Sequence, residues 1–391
     1  MNPNWELHGY ARKLDWYVKG IKEKRLCSEE NSVHILKFYE YVFAQGLSIP
    51  RIEKYMRLLC GMDKMIKKDF KTVDKQDVIS FLSTLEKSSY SEWTKSDYRI
   101  AMKKFYKWFY DDKLPDFVSW VKLGIKNQRK VMPQELLTTD EVLSLINNEF
   151  NTRNKALISC LYESGCRIGE LMTLKVNSVT FDEYGVIFIV NGKTGVRRVR
   201  LVTSTSLVGK WLNEHPGKND SESFLWCKFR DSKSMLGYGM FKRILDRVAK
   251  KAGVTKRVNP HSFRHARATH MANSLTEAQM KEHFGWVQSS KMASVYVHLS
   301  GRDVDNAILN HYGIKKAETK GEEMKPIKCG CGELNHPVNN YCNRCGKPLK
   351  TETAINLDEK KKETNEIMNQ LMQKPEVVNM LKEMLLKATT K

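Results

Sequence analysis

The chain has 391 residues, with 66 Lys and Arg against 45 Asp and Glu, a formal charge of +21. That length predicts two or three domains, and 41% hydrophobic residues are enough for a core in each. No apolar run reaches the ~18–20 residues needed to cross a bilayer, and residues 1–13 hold no apolar stretch of a secretory signal, so a cytoplasmic protein is expected. The excess charge is uneven. Residues 1–136 carry 26 basic against 18 acidic side chains, residues 137–316 carry 27 against 16, and residues 317–391 only 13 against 11. A positive field over the first two stretches fits a polyanion, of which nucleic acid is the commonest.

Residues 10–110 read as helical. Apolar residues recur at helical spacing through Val33, Leu36, Tyr39 and Phe43, then Val78, Phe81, Leu82 and Leu85, and again over 98–110. Lys64, Lys67, Lys68, Lys71, Lys103, Lys104 and Lys107 dot these helices, where they serve solubility or line a phosphate backbone. Asp111, Asp112 and Pro115 stop the last helix, and a basic stretch at 122–130 marks a domain boundary near 111–136. Thr138 to Glu141 has the form of a capping box. A strand at 186–190, a turn at 191–195 and a return strand at 197–202 predict a hairpin with Lys193 at its tip. Helices follow at 240–252, 262–273 and 277–284, and residues 317–328 read as a charged linker.

Nine cysteines are present, and four cluster late. Cys329 and Cys331, then Cys342 and Cys345, suit a tetrahedral zinc site in a small ribbon, with His336 as a possible substitute ligand. So short a segment cannot bury a core, and the metal would supply its folding energy. Residues 357–387 read as two amphipathic helices broken at Pro375. Their methionines, Met368, Met372, Met380 and Met384, suit packing on a partner or a second copy. Truncation after Lys316 is expected to leave a folded protein.

No phosphate-cradling glycine loop and no HExxH motif occurs, so nucleotide-driven and zinc-hydrolase chemistry lose their usual support. A set of cations, one histidine motif and one tyrosine remains. Arg167 follows a glycine turn, with Glu170 three residues on to orient it. His261 and Arg264 stand at a helix N-terminus after Asn259-Pro260. Gly285-Trp286 and Tyr296 complete the set. Singly, each has an ordinary reading: an ion pair, a turn lysine, a core tryptophan, a half-buried tyrosine.

In this order and spacing they resemble the tyrosine recombinase (phage integrase) family. That family has an Arg, a hairpin Lys, His-x-x-Arg, a His or Trp after Gly, and a nucleophilic Tyr. Arg167, Lys193, His261, Arg264, Trp286 and Tyr296 fill all six positions. The resemblance covers residues 137–316 with high specificity and 10–125 more loosely. From Gly285 through Tyr296 the pattern looks most like archaeal members. It implies an all-α, SAM-like core DNA-binding domain at 10–125 and a mixed α+β catalytic domain at 137–316. The ribbon at 325–350 and helices at 355–390 are appended to these. It implies double-stranded DNA as partner, a tetramer on DNA, and cleavage and rejoining through a 3′-phosphotyrosine without ATP or catalytic metal.

The chemistry is sensible apart from the family. Two guanidiniums can clamp the non-bridging oxygens of a phosphorane-like state. His261 can donate to the phosphate and accept the tyrosine proton, and Lys193 can protonate the leaving 5′-oxygen. An indole N–H donates but cannot shuttle a proton, so Trp286 holds an oxygen or packs beside the nucleophile. Tyr312 and Tyr184 are rival nucleophiles placed less well, and His265, His270 and His283 read as structural or supporting residues. Two other readings stand beside this one: relaxation of DNA in the manner of a type IB topoisomerase, and a DNA-binding regulator with a relic site.

Overall fold

A computed structural model describes residues 7–125, 133–192, 194–299, 312–313 and 324–389. The hairpin-tip Lys193, the end of the basic stretch at 126–132 and the linker over 317–323 lie outside the described residues. The chain forms two compact units: Met1–Gln134 with Leu236–Phe241, and Glu135–Met235 with Lys242–Lys391.

The first unit is built on helices α1 (Tyr10–Lys22), α2 (Glu29–Ala44), α3 (Ile49–Ile66), α4 (Lys75–Lys87), α5 (Glu92–Phe109) and the short α6 (Asp116–Ser119). Their starts are chemically marked. Asp74 and Asp77 form a capping box on α4, and Ser91 caps α5. The helix expected from residue 98 begins six residues earlier because that cap sits at Ser91. The core is aromatic: Phe38 and Phe70 meet Phe105 edge-on at 5.4 and 5.2 Å, an arrangement that adds to the burial of each ring. One polar knot is sealed inside. Buried Asn31 donates to Asp63 (2.6 Å) and to the Lys68 carbonyl (2.9 Å), and accepts from the Phe70 N–H (2.8 Å). It thereby ties α2 to the turn after α3.

The second unit is centred on α8 (Thr152–Ser164), which buries eleven of its thirteen residues. Helix α7 (Thr139–Asn147) opens on the expected Thr138–Glu141 capping box. After α9 (Ile168–Met172) come antiparallel strands β1 (Val179–Asp182), β2 (Gly185–Gly192) and β3 (Gly195–Leu201), in that spatial order. Val186 pairs with Leu201 and Gly192 with Gly195. The expected hairpin is therefore present, with a third strand, β1, on its edge. Helix α10 (Thr205–Glu214), a short ribbon of β4 (Cys227–Lys228) and β5 (Asp231–Met235), and helices α11 (Tyr238–Lys251), α12 (Pro260–Met271), α13 (Glu277–Phe284) and α14 (Met292–Leu299) follow. Helix α12 starts at Pro260 rather than 262, because proline is pre-organised for the first turn and Asn259 caps the Ser262 N–H at 2.9 Å. Buried Glu163 accepts the N–H groups of Val202 (2.7 Å), Thr203 (2.9 Å) and Ser204 (2.7 Å), pinning the β3–α10 turn to the end of α8.

Strands β6 (Ile327–Lys328) and β7 (Leu334–Asn335) carry the cysteine segment, which is docked on α8 and α10. His336 is fully buried. Its Nε2 lies 3.0 Å from Ser159 Oγ, its backbone N–H donates to Ser206 Oγ (3.0 Å), and its Nδ1 accepts the Val338 N–H (3.2 Å). Thr203 Oγ1 donates to the Met324 carbonyl at 2.8 Å. The ribbon is thus packed on the preceding domain, and it completes the hydrogen bonding of buried hydroxyls at Ser159, Thr203 and Ser206. The break at Pro375 separates α15 (Thr351–Met372) from α16 (Pro375–Thr389), and α15 buries none of its residues. No described helix is long and apolar enough to cross a membrane.

Candidate active site

The site is assembled at the C-terminus of α13. The last carbonyls of a helix have no intrahelical donor, and here three successive ones take guanidiniums. The His283 carbonyl accepts from Arg197 Nε (3.0 Å), the Phe284 carbonyl from Arg264 Nη2 (2.7 Å), and the Gly285 carbonyl from both Nη atoms of Arg167 (3.1 Å each). The negative end of the helix dipole favours these cations. Gly285 adopts φ +60°, and a Cβ there would sit 2.6 Å from Arg197. Gly165 adopts φ +57°, and a Cβ there would strike the Phe284 ring at 2.4 Å. Both positions therefore require glycine.

Among the described residues, Glu170 is the carboxylate paired with these guanidiniums. It is buried and bridges Arg167 (2.8 Å) and Arg197 (2.7 Å). Burial pushes its pKa up, but the hydrogen bond and charge of Arg197, then the side-chain and backbone hydrogen bonds of Arg167, hold it below the ordinary value. Arg264 also donates to the Gly165 carbonyl at 2.8 Å and lies over the Phe284 and Trp286 rings at 5.3 and 5.5 Å. Burial, and then the neighbouring Arg167, lower its pKa to about 10.

Tyr296, on α14, is buried at 3% exposure. Its ring stacks on Trp286 at 5.4 Å with the planes 1° apart, and Trp286 stacks in turn on Phe284 at 5.0 Å. Trp286 is thus a wall that fixes the tyrosine ring. Burial pushes the phenol up to about 12, against the pull of Arg264. The Tyr296 hydroxyl lies 2.5 Å from Nδ1 of His265. His261 stands one turn earlier on α12 and is open to solvent. Partial desolvation, then the charges of Arg264, Arg257 and Arg167, hold its pKa below the ordinary value.

Arg167, Arg264, Trp286 and Tyr296 therefore form one contiguous cluster, with His261 beside Arg264 on the same helix and Lys193 outside the described residues. Tyr184 and Tyr312 are exposed at 62% and 71% and are not part of it. His270 accepts from or donates to Tyr162 at 2.7 Å, a supporting contact as expected. One member, Arg197, escaped sequence reasoning, and another, His265, was read only as supporting. Arg197 is in phase with the buried Val199 and Leu201 on β3, and a cation in the inward phase of a strand was the available signal. His265 lies four residues after His261, hence on the same helix face.

The four late cysteines converge, with all sulfur atoms within 4.8 Å of one another. Cys329 and Cys345 are 3.6 Å apart, and Cys331 and Cys342 3.7 Å. A tetrahedron with Zn–S of ~2.3 Å has sulfur–sulfur edges of about 3.8 Å, so the donors fit zinc. His336 is outside the ligand set, because both its ring nitrogens are engaged elsewhere.

Comparison with known proteins agrees with this geometry. The model of the phage integrase family matches residues 135–302, and that of the phage integrase N-terminal SAM-like domain matches residues 35–116. Tyrosine recombinase XerA of Pyrococcus horikoshii is 29% identical over 244 residues, covering 62% of this chain and 80% of the relative. Tyrosine recombinase XerC of Pelotomaculum thermopropionicum is 26% identical over 299 residues, covering 69% and 94%. Among solved structures, XerH recombinase bound to its difH substrate before cleavage superposes with a TM-score of 0.54 at 20% identity, covering 79% of this chain and 96% of that one. A lambda integrase dimer on a core site gives 0.56 at 14% identity, covering 69% and 78%. At these identities the structural likeness speaks for the fold.

Proposed function

The chain belongs to the phage integrase family of tyrosine recombinases, and from that premise we propose that it cleaves and rejoins double-stranded DNA at specific sites through a 3′-phosphotyrosine. Residues 10–125 act as the core DNA-binding domain and 137–316 as the catalytic domain. The observation that carries the reading is the single cluster in which Arg167 and Arg264 are anchored beside the stacked pair Trp286 and Tyr296.

A scissile phosphate entering this cluster is held by Arg167 and Arg264, whose guanidiniums match its non-bridging oxygens. Their remaining donors stabilise the charge that grows as phosphorus becomes five-coordinate. Tyr296 attacks in line from a ring fixed by Trp286. Its phenol ionises reluctantly, so the proton must leave as the bond to phosphorus forms. His261 holds the phosphate, and Lys193 supplies the proton to the departing 5′-oxygen. The phosphotyrosine conserves the bond energy, and a second 5′-hydroxyl reverses the step without nucleotide or catalytic metal. Exchange between two duplexes requires four such sites, and a tetramer on DNA is the assembly that supplies them. Cys329, Cys331, Cys342 and Cys345 hold a structural zinc that folds the segment at 325–350. An archaeal affinity agrees with the Pyrococcus relative.

The test is Tyr296→Phe. The variant should bind duplex DNA as the unsubstituted chain does and form no covalent protein–DNA complex, because one oxygen is lost. An adduct that persists in Tyr296→Phe and disappears in Tyr312→Phe overturns the assignment of the nucleophile.

A further inference from the structure

The contact between Tyr296 and His265 reassigns the acceptance of the tyrosine proton, expected above of His261. His261 stands near the guanidiniums, yet the imidazole within hydrogen-bond distance of the tyrosine hydroxyl is that of His265, at 2.5 Å through Nδ1. We propose that His265 is the base that takes the Tyr296 proton during cleavage and returns it during rejoining, leaving His261 to hold the phosphate. This rests on the recombinase reading above.

Three observations support it. First, the geometry is set by the backbone: His265 is fixed on α12 one residue after Arg264, and Arg264 is anchored at both ends, to Gly165 and to Phe284. The same helix therefore aims one side chain at the phosphate and the next at the nucleophile. Second, the tyrosine ring lies parallel against Trp286 and its hydroxyl is directed at the imidazole. Third, the imidazole is in the form a base needs. Burial, then the charges of His261 and Arg264, hold its pKa below the ordinary value, so it is neutral at neutral pH. In the tautomer with hydrogen on Nε2, Nδ1 is an open acceptor for the phenol hydrogen.

The step balances within the site. As Tyr296 Oη bonds to phosphorus, its O–H bond breaks and the proton passes to His265 Nδ1. The bond from phosphorus to the 5′-oxygen breaks, and that oxygen takes a proton from the acid assigned to it, Lys193. In rejoining, a 5′-hydroxyl oxygen bonds to phosphorus as its proton passes to Lys193, the phosphorus–Oη bond breaks, and the imidazolium returns its proton to the phenolate. A buried phenol at about 12 and an imidazole below its ordinary value cannot exchange a proton fully before attack. The transfer is therefore concerted with bond formation, where general-base catalysis is effective.

The experiment uses the full chain and a nicked suicide duplex bearing a half-site selected from randomised DNA by binding to the unsubstituted chain. Single-turnover formation of the Tyr296 adduct is measured for His265→Ala and His265→Asn. Each substrate is also made with a 5′-bridging phosphorothiolate, whose leaving group needs no acid. His265→Ala should slow cleavage by ~10²-fold or more, and equally on both substrates, because the lost group acts on the nucleophile. Asparagine offers an acceptor near the Nδ1 position but cannot carry the proton, so His265→Asn should be as slow as His265→Ala. It carries the test if the alanine variant does not fold. A wild-type rate in either variant overturns the proposal. So does rescue by the phosphorothiolate, which would place His265 on the leaving-group side. If the unsubstituted chain forms no adduct at Tyr296 on any selected duplex, the recombinase reading falls and this one with it. An adduct in the unsubstituted chain with an unslowed His265→Ala removes this inference alone.

Discussion

Acid should loosen the ribbon's hold on the catalytic unit through one buried imidazole. His336 is sealed between the ribbon and α8, bonded to Ser159. Burial, then nearby Lys155 and Lys350, depress its pKa from 6.5 to about 3. The unfolded chain therefore takes up a proton near pH 6.5 that the folded chain refuses. The stability from this group is complete above that pH and is lost progressively as pH falls toward 3. Between pH 7.5 and 5.0 the loss amounts to about 2 kcal/mol from this residue alone. At neutral pH, His336→Gln should itself destabilise by about 1–3 kcal/mol, since the Ser159 contact and the buried ring are lost. Acid also protonates the cysteine thiolates, so the diagnostic quantity is the difference between the two proteins. Urea unfolding of wild type and His336→Gln at pH 7.5 and 5.0 measures it. The gap between them should narrow by about 2 kcal/mol at the lower pH. An unchanged gap would mean that His336 is not held neutral in this interface, and the docking of the ribbon on α8 would be refuted.

Other outcomes follow from the site. Arg167→Ala and Arg264→Ala should each slow single-turnover cleavage by ~10²–10³-fold while leaving duplex affinity largely intact, which filter binding and adduct formation measure together. Glu170→Gln removes the charge that Arg167 and Arg197 share and should slow cleavage less than Arg167→Ala or Arg264→Ala, since Arg167 and Arg197 keep their carbonyl acceptors; the same adduct assay decides. Gly285→Ala should cost about 1–2 kcal/mol from its left-handed backbone alone, before the clash with Arg197, as thermal unfolding would show. Displacement of metal by a thiol-reactive mercurial, followed with a colorimetric zinc indicator, should release one zinc per chain. Truncation after Lys316, by uncovering Ser159, Thr203 and Ser206, should lower the melting temperature of the remaining protein.

Much of this was legible in the chain. Periodicity marked three helices of the first unit, though not their caps, and the Asn191–Gly195 turn marked the β2–β3 hairpin. What escaped is instructive. Strand β1 is four residues long with three of them exposed, so it has no alternation to read. The docking of the ribbon depends on Ser159, Ser206 and His336, which lie far apart in sequence and look unremarkable singly; only tertiary contact makes them a polar interface. His265 was set aside as supporting because histidines on helices usually are. Its distinction comes from where α14 delivers Tyr296, a contact 31 residues away. Arg197 was hidden among the three arginines of β3, and strand phase alone separates it from the outward Arg198.

The three carbonyls that close α13 belong to consecutive residues, so their directions are fixed by helical register. Inserting or deleting one residue between Thr276 and Phe284 would rotate the end of the helix by about 100° and turn all three acceptors away from Arg197, Arg264 and Arg167 together. Substitutions on the exposed face of this helix leave that register untouched, whereas a single change in its length misaligns the whole set. Natural and engineered variants of this chain should therefore vary freely in the exposed residues of α13 and hardly ever in its length, a pattern that deep insertion and deletion scanning of residues 277–284 would display.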